Sequence, residues 1–190
     1  MKSGVVGLLL AAGQGRRFGS DKLMHRLPDG MPVAVAAASR LLPVCDQVVA
    51  VLRPEQWALA EALAALGCEC VLCAEAQHGM GHTLAAGIRA APDAAGWVVA
   101  LADMPFIQPA SHAVVVEAMR GGARLAATRF RGQRGHPAGF ARDWRTALEA
   151  LTGDEGARQI LSQHAQDIVW CDVNDEGVVR DIDRPEDLLR

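Results

Sequence analysis

No stretch of this 190-residue chain approaches the roughly 20 consecutive apolar residues that a membrane-spanning helix requires. Met1-Lys2-Ser3 leads straight into a short strand-like run, without the longer apolar region and cleavage site of a secretion signal. A soluble, cytoplasmic protein is the expectation. An excess of one charge sign is also missing: 19 Lys and Arg against 22 Asp and Glu leave a net charge of −3. That balance offers no overall attraction to nucleic acid or an anionic membrane, so any phosphate binding has to be local. Cysteines number five, an odd count in a chain with no secretion signal, which argues for reduced thiols rather than a disulfide framework. Cys68, Cys70 and Cys73 lie close in sequence, but on a strand the first two share a face and the third takes the other, which suits three ligands of one metal poorly. No internal repeat, low-complexity tract or linker divides the chain, and a single domain over residues 1–190 is expected.

What is present centres on residues 8–22, an apolar run that stops at Gly13, Gly15 and Gly19 and carries Arg16, Arg17 and Lys22. This reads as a buried strand opening into a loop whose backbone approaches a ligand closely. Without Cβ atoms, Gly13 and Gly15 let successive N–H groups converge on an anion, and the three cations can neutralise a polyphosphate. Two better-known phosphate loops do not match. Phe18 stands where the dinucleotide fingerprint needs its third glycine, and Lys22 follows Asp21 rather than a Walker A glycine.

Further along, strand and helix patterns alternate. Helices are expected over 33–42, 55–66 and 80–91, each bounded by proline or glycine or by a change of pattern, and strands over 46–52, 68–73 and 96–102. The last is a continuous apolar run ending at Asp103, as a central parallel strand with a functional carboxylate at its C-terminal end should read. A helix from Pro109 to about Arg120 and a strand over 124–128 follow; then residues 129–137 read as a loop or hairpin rich in glycine and cations, leading into an apolar stretch to Phe140. Short helices over 144–151 and 156–163, strands over 168–173 and 178–180, and a last helical turn at 185–189 complete the reading. The fold class is therefore α/β, a mostly parallel central sheet with helices on both faces. Ligands of such sheets bind beyond the carboxyl ends of the strands, where Gly13, Gly79 and Asp103 all fall.

At residues 8–22 the chain resembles the molybdenum-cofactor nucleotidyltransferases, a family within the NTP-transferases that begin Leu-Ala-x-Gly-x-Gly-x-Arg-x-Gly-x-x-Lys. Gly79-Met80-Gly81-His82-Thr83, Ala102-Asp103-Met104-Pro105, Arg134-Gly135-His136-Pro137, Gly153-Asp154-Glu155-Gly156-Ala157-Arg158 and Asp181-Ile182-Asp183-Arg184-Pro185-Glu186-Asp187-Leu188 look like further blocks of that family, in its order. Ala11-Ala12-Gly13 resembles the cytidylyl branch, the guanylyl branch usually reading Leu-Ala-Gly-Gly.

The resemblance implies a Rossmann-like nucleotidyltransferase fold and transfer of CMP from CTP to the phosphate of molybdopterin, with release of pyrophosphate and possible delivery to a recipient molybdoenzyme. It implies Mg²⁺ on Asp103 and Asp183, triphosphate contacts from Arg16 and Lys22, and a catalytic set of Arg16, Lys22 and Asp103. Leu10, Ala11, Ala12, Gly13 and Gly15 would meet the nucleotide through backbone groups, as would Gly79, Gly81 and the hydroxyl of Thr83. Arg134 and His136 would face the acceptor. Use of GTP, a different phosphorylated acceptor, or a non-catalytic cofactor carrier remain as alternatives. Arg17, His25, His82 and Arg184 are given no role.

Overall fold

The computed structural model describes residues 4–13, 18–19, 21–154 and 156–189. Its centre is a seven-stranded sheet built from β1 (Val5–Leu10), β2 (Gln47–Leu52), β3 (Glu69–Leu72), β4 (Gly96–Leu101), β5 (Leu125–Phe130), β6 (Gln133–Ala141) and β7 (Ile168–Asp172), in the order β3-β2-β1-β4-β6-β5-β7. All neighbours run parallel except β6, which is antiparallel to β4 and β5. The helices are α1 (Val33–Leu41), α2 (Trp57–Ala65), α3 (Met80–Ala90), α4 (Pro109–Arg120) and the short α5 (Arg145–Glu149) and α6 (Arg158–Gln163).

Because side chains alternate along a strand, the apolar runs supply both faces at once. Leu9, Val48, Ala50, Val98 and Ala100 pack with Leu41 of α1, Leu63 of α2 and Val115 of α4. Leu8, Val49, Val51, Trp97 and Val99 pack with Ile88 of α3, Leu148 of α5 and Leu161 of α6 on the other side. Each such leucine buried in full contributes about 1.5–3 kcal/mol of transfer free energy. The expected doubly covered α/β sheet is what forms. Cys68 and Cys70 pack on the first face and Cys73 on the second, as the strand alternation implied.

One segment extends the sequence reading and another departs from it. Residues 129–137 open as a hairpin whose two turn residues, Arg131 (φ 48°) and Gly132 (φ 83°), both take positive φ, the twist-matched turn for adjacent antiparallel strands. The strand beyond it continues to Ala141 and inserts between β4 and β5, so the basic loop is the start of a central strand. Residues 178–180, expected as a strand, instead form the second half and the cap of a 3₁₀ turn at Glu176–Val179. Asp175 dictates the turn: its carboxylate accepts from the Gly177 N–H (2.9 Å), the Gln108 N–H (2.8 Å) and the Ser111 hydroxyl (2.7 Å). Val178 is then buried against Met104 and Ile107 rather than paired in the sheet.

Candidate active site

Where β1 ends, the chain curls away under the grip of the turn that follows β2. Arg53 Nη1 donates to the carbonyls of Ala12 (2.7 Å) and Gly13 (2.8 Å), and Gln56 Nε2 donates to that of Ala11 (3.1 Å). Arg53 is itself tied to Gln56 through its backbone N–H (2.7 Å) and to Glu55 (2.6 Å). Three successive carbonyls are thus held on the β2 side, while the space a Cβ of Gly13 would enter is open. Sequence reasoning passed over Arg53 and Gln56. Their signal was position, immediately after a parallel strand at the end where ligands bind. Gly15 and Arg16, expected on this loop, lie outside the described residues.

Lys22 begins a 3₁₀ turn (Lys22–Met24) that Asp21 caps by accepting from Met24 N–H. The turn lays Lys22 into the protein at 8 % exposure, with Nζ 2.8 Å from Asp103 Oδ2. Asp103 follows β4 directly, and Ala102 N–H donates to the Leu10 carbonyl (3.1 Å), so β1 and β4 deliver their ends together. A cation and a carboxylate separated by 81 positions in the chain therefore meet at the carboxyl edge of the sheet.

The C-terminal acidic block reaches the same place. Ile182 N–H donates to the Asp103 carbonyl (2.8 Å), which sets Asp181 and Asp183 to either side of it. Burial raises the Asp181 carboxyl above its ordinary range, the charge of Asp103 and, more weakly, that of Asp183 add to this, and Lys22 opposes it. Crowded carboxylates of this kind are hard oxygen donors that gain from a divalent cation. Asp187 has a different task, accepting from the N–H groups of Asp183 (3.1 Å) and Arg184 (2.8 Å) at the start of the last turn. No group of three or more His, Cys, Asp or Glu is gathered as a ready-made metal cage among the described residues, and a magnesium site normally needs only one or two carboxylates.

The glycines of residues 79–83 answer to a neighbouring segment of chain. Gly79 (φ 126°) would place a Cβ 2.3 Å from the Gly153 carbonyl, and Gly81 one 2.6 Å from the Thr152 carbonyl oxygen. Gly81 N–H donates to Gly153 O (2.7 Å) and Gly79 N–H to Ala76 O (3.2 Å), so both are taken within the protein. Thr83 is buried in the first turn of α3.

The same contact leads Asp154, and beyond it Ala157 and Arg158, to the lining of a cavity of about 590 Å³. Leu10, Leu84, Val99, Leu101, Ala138 and Phe140 give it an apolar floor. Arg134, His136, Asp154 and Arg158 supply its charged and titratable lining, which joins the two residues expected on the acceptor side to one, Leu10, expected on the nucleotide side. The Nδ1 of His136 is buried without a partner. Burial lowers the imidazole's pKa, the Val99 backbone and the Asp103 charge acting the other way, so the ring is neutral near pH 7. Among the described residues no helix is long and apolar enough to cross a membrane.

Set against known proteins, the chain is 31% identical to the purine catabolism protein PucB of Bacillus subtilis (strain 168), over 98% of this chain and 96% of that protein. It is 29% identical to the nicotine blue oxidoreductase of Paenarthrobacter nicotinovorans, over 98% and 95%. In three dimensions it superposes on the crystal structure of Rv0371c from Mycobacterium tuberculosis H37Rv with a TM-score of 0.88, at 25% identity, covering 100% of this chain and 97% of the other. Residues 7–168 match the MobA-like NTP transferase domain, and with the end of β1, Lys22, Asp103 and the cavity all inside that span, the chain belongs to the MobA-like NTP transferase family.

Proposed function

We propose that the protein is a nucleotidyltransferase that moves CMP from CTP to the terminal phosphate of molybdopterin, releasing pyrophosphate. The observation that carries this reading is the Lys22–Asp103 pair at 2.8 Å, set where β1 and β4 end and beside the loop held by Arg53. Transfer needs an acceptor phosphate oxygen to bond to the α-phosphorus while the bond from that phosphorus to the pyrophosphate oxygen breaks. The leaving electron pair stays on pyrophosphate. Since the acceptor oxygen is already ionised, no strong base is needed, and the protein's work is positioning and neutralising charge.

Lys22 supplies fixed positive charge near the α-phosphate, with Asp103 holding its ammonium in place. The residues of the site suit Mg²⁺, with Asp103 and Asp183 as its holders. When bound, the ion neutralises phosphate oxygens and the pyrophosphate that leaves. The backbone of Leu10, Ala11 and Ala12 meets the base, and the cavity beside His136 and Arg134 takes the acceptor. Ala12, where a guanylyl enzyme would carry glycine, favours CTP. A recipient molybdoenzyme is the natural destination of the product.

The test is an incubation of purified protein with molybdopterin, Mg²⁺ and each of the four NTPs in turn. Labelled CMP in the cofactor and an equal amount of pyrophosphate, both lost without Mg²⁺ or without acceptor, is the expected outcome. Label from GTP alone would replace the cytidylyl assignment. Cofactor binding without turnover would make the protein a carrier.

A further inference from the structure

We infer that His78 and His82 form a two-imidazole site for a divalent first-row transition ion such as nickel or zinc, separate from the carboxylates of Asp103 and Asp183. His78 closes the 3₁₀ turn Ala74–His78, and His82 stands in the first turn of α3. Their ring centres lie 5.8 Å apart. An imidazole nitrogen binds zinc at about 2.0–2.1 Å, which puts the ring centre about 3.2 Å from the ion, so two rings on one tetrahedral ion have centres about 5.3 Å apart. A small swing of either side chain covers the difference. The 67° between the ring planes is no obstacle, since each ring can turn about its bond to a metal.

The backbone that carries the pair is pinned. Gly79, with φ 126°, turns the chain from the 3₁₀ turn into the helix, a conformation that glycine adopts without strain. Gly79 N–H donates to the Ala76 carbonyl (3.2 Å) and Gly81 N–H to that of Gly153 (2.7 Å). On the inner side the buried Cys73 thiol lies 3.7 Å from the His82 carbonyl oxygen. Only side-chain rotation is left to close the two rings on an ion, so little ordering opposes binding.

The protein makes no other use of these rings. Among the described residues no ring nitrogen of His78 or His82 has a hydrogen-bond or ion-pair partner, whereas His164 reaches Asp167 (3.4 Å). His78 is exposed and His82 half-buried, so an ion can arrive from solvent. Glu75 precedes His78 by three residues in the same 3₁₀ turn, where side chains three apart stand one above the other. A carboxylate beside a ligating imidazole accepts the N–H of its other ring nitrogen and fixes the ring, and Glu75 is placed to do this for His78.

Donor chemistry selects the ion. Imidazole suits zinc, nickel and copper, while magnesium asks for oxygen. Among the described residues no third His, Cys, Asp or Glu completes a metal-holding group with the pair. Water therefore fills the remaining positions, which makes this an open, exchangeable site rather than a closed structural one.

The experiment titrates Ni²⁺ and, separately, Zn²⁺ into the untagged full-length protein by calorimetry with Mg²⁺ in excess, for the wild type, His78→Gln and His82→Gln. One ion per chain is expected in the wild type, and affinity at least about tenfold weaker in each variant. Co²⁺ in the same site should show visible bands without the near-ultraviolet charge-transfer band of a thiolate ligand. Urea midpoints without metal should agree among the three proteins, which reports an intact fold. No Ni²⁺ or Zn²⁺ binding by the wild type, binding indifferent to both substitutions, displacement by Mg²⁺, or a thiolate band would each overturn the inference. None of these readouts involves CTP or molybdopterin, so the metal site and the transferase assignment stand or fall separately.

Discussion

Lys22 and Asp103 show how much one buried pair can be asked to do. At 9 % and 24 % side-chain exposure they are partly withdrawn from water, and removing the carboxylate deprives the ammonium of its direct partner, leaving Asp181 to offset part of its desolvation. Asp103→Asn keeps the size and much of the hydrogen bonding while deleting the charge, so the fold should survive and turnover should fall at least about tenfold, equivalent to ~1.4 kcal/mol of transition-state stabilisation. Initial rates of pyrophosphate release at saturating substrates check this, and near-normal turnover would move the metal site to Asp183. Arg53 acts at one remove from the chemistry, as a positioning residue. Arg53→Ala deletes two hydrogen bonds to the Ala12 and Gly13 carbonyls, and the KM for CTP should rise about tenfold while that for the acceptor stays put. A change confined to kcat, or shared by both substrates, would contradict the bracing role.

Among the elements, the start of α3 and residues 152–154 behave as one joint. The Gly81 N–H to Gly153 O bond of 2.7 Å and the absence of a Cβ at Gly79 and Gly81 let two backbones touch, and the far end of that contact is the wall carrying Asp154 and Arg158. Gly81→Ala forces a methyl to within 2.6 Å of the Thr152 carbonyl oxygen. Backbone on the other side cannot rotate away as a side chain would, so a loss of about 1–3 kcal/mol in urea unfolding is expected. The KM for the acceptor should rise with it, because the cavity wall that carries Asp154 and Arg158 shifts, whereas Mg²⁺-CTP binding is spared. A variant as stable as the wild type would show that residues 152–154 yield freely.

For the molecule as a whole, acid stability is set in part by a histidine far from the chemistry. His112 on α4 is 2 % exposed, its Nδ1 lacks a partner, and burial pushes its pKa down to about 4. The unfolded chain takes up a proton near pH 6.5 and the native protein does not until about pH 4, so stability is greatest above the upper value and declines as pH falls between the two. Going from pH 7 to pH 5 should cost the wild type about 2 kcal/mol through this group. In His112→Gln that increment should vanish, as compared by urea midpoints at the two pH values. The buried neutral His136 contributes with the same sign, so some decline remains in the variant. Equal declines in the two proteins would mean that His112 is not held neutral by the fold.

Local order along the chain was enough to read the α/β class, because apolar runs such as 96–101 and helix boundaries such as Pro109 act through nearest neighbours and period. Clustered glycine and cation in residues 8–22, and Asp103 at a strand end, pointed to a candidate site for the same reason: the chemistry of each is written in a short window. What no window contains is a partner. That Arg53 would grip Ala12, that Gly81 would need to be bare for Thr152, and that Arg158 would share a cavity with Arg134 depend on segments 24 to 71 positions apart brought together by the packing of both sheet faces. The antiparallel insertion of β6 was undecidable for a related cause. Its hairpin turn is local, but its place between β4 and β5 is settled by which long-range pairing buries Phe140 and Ala138, and only the folded sheet expresses that choice.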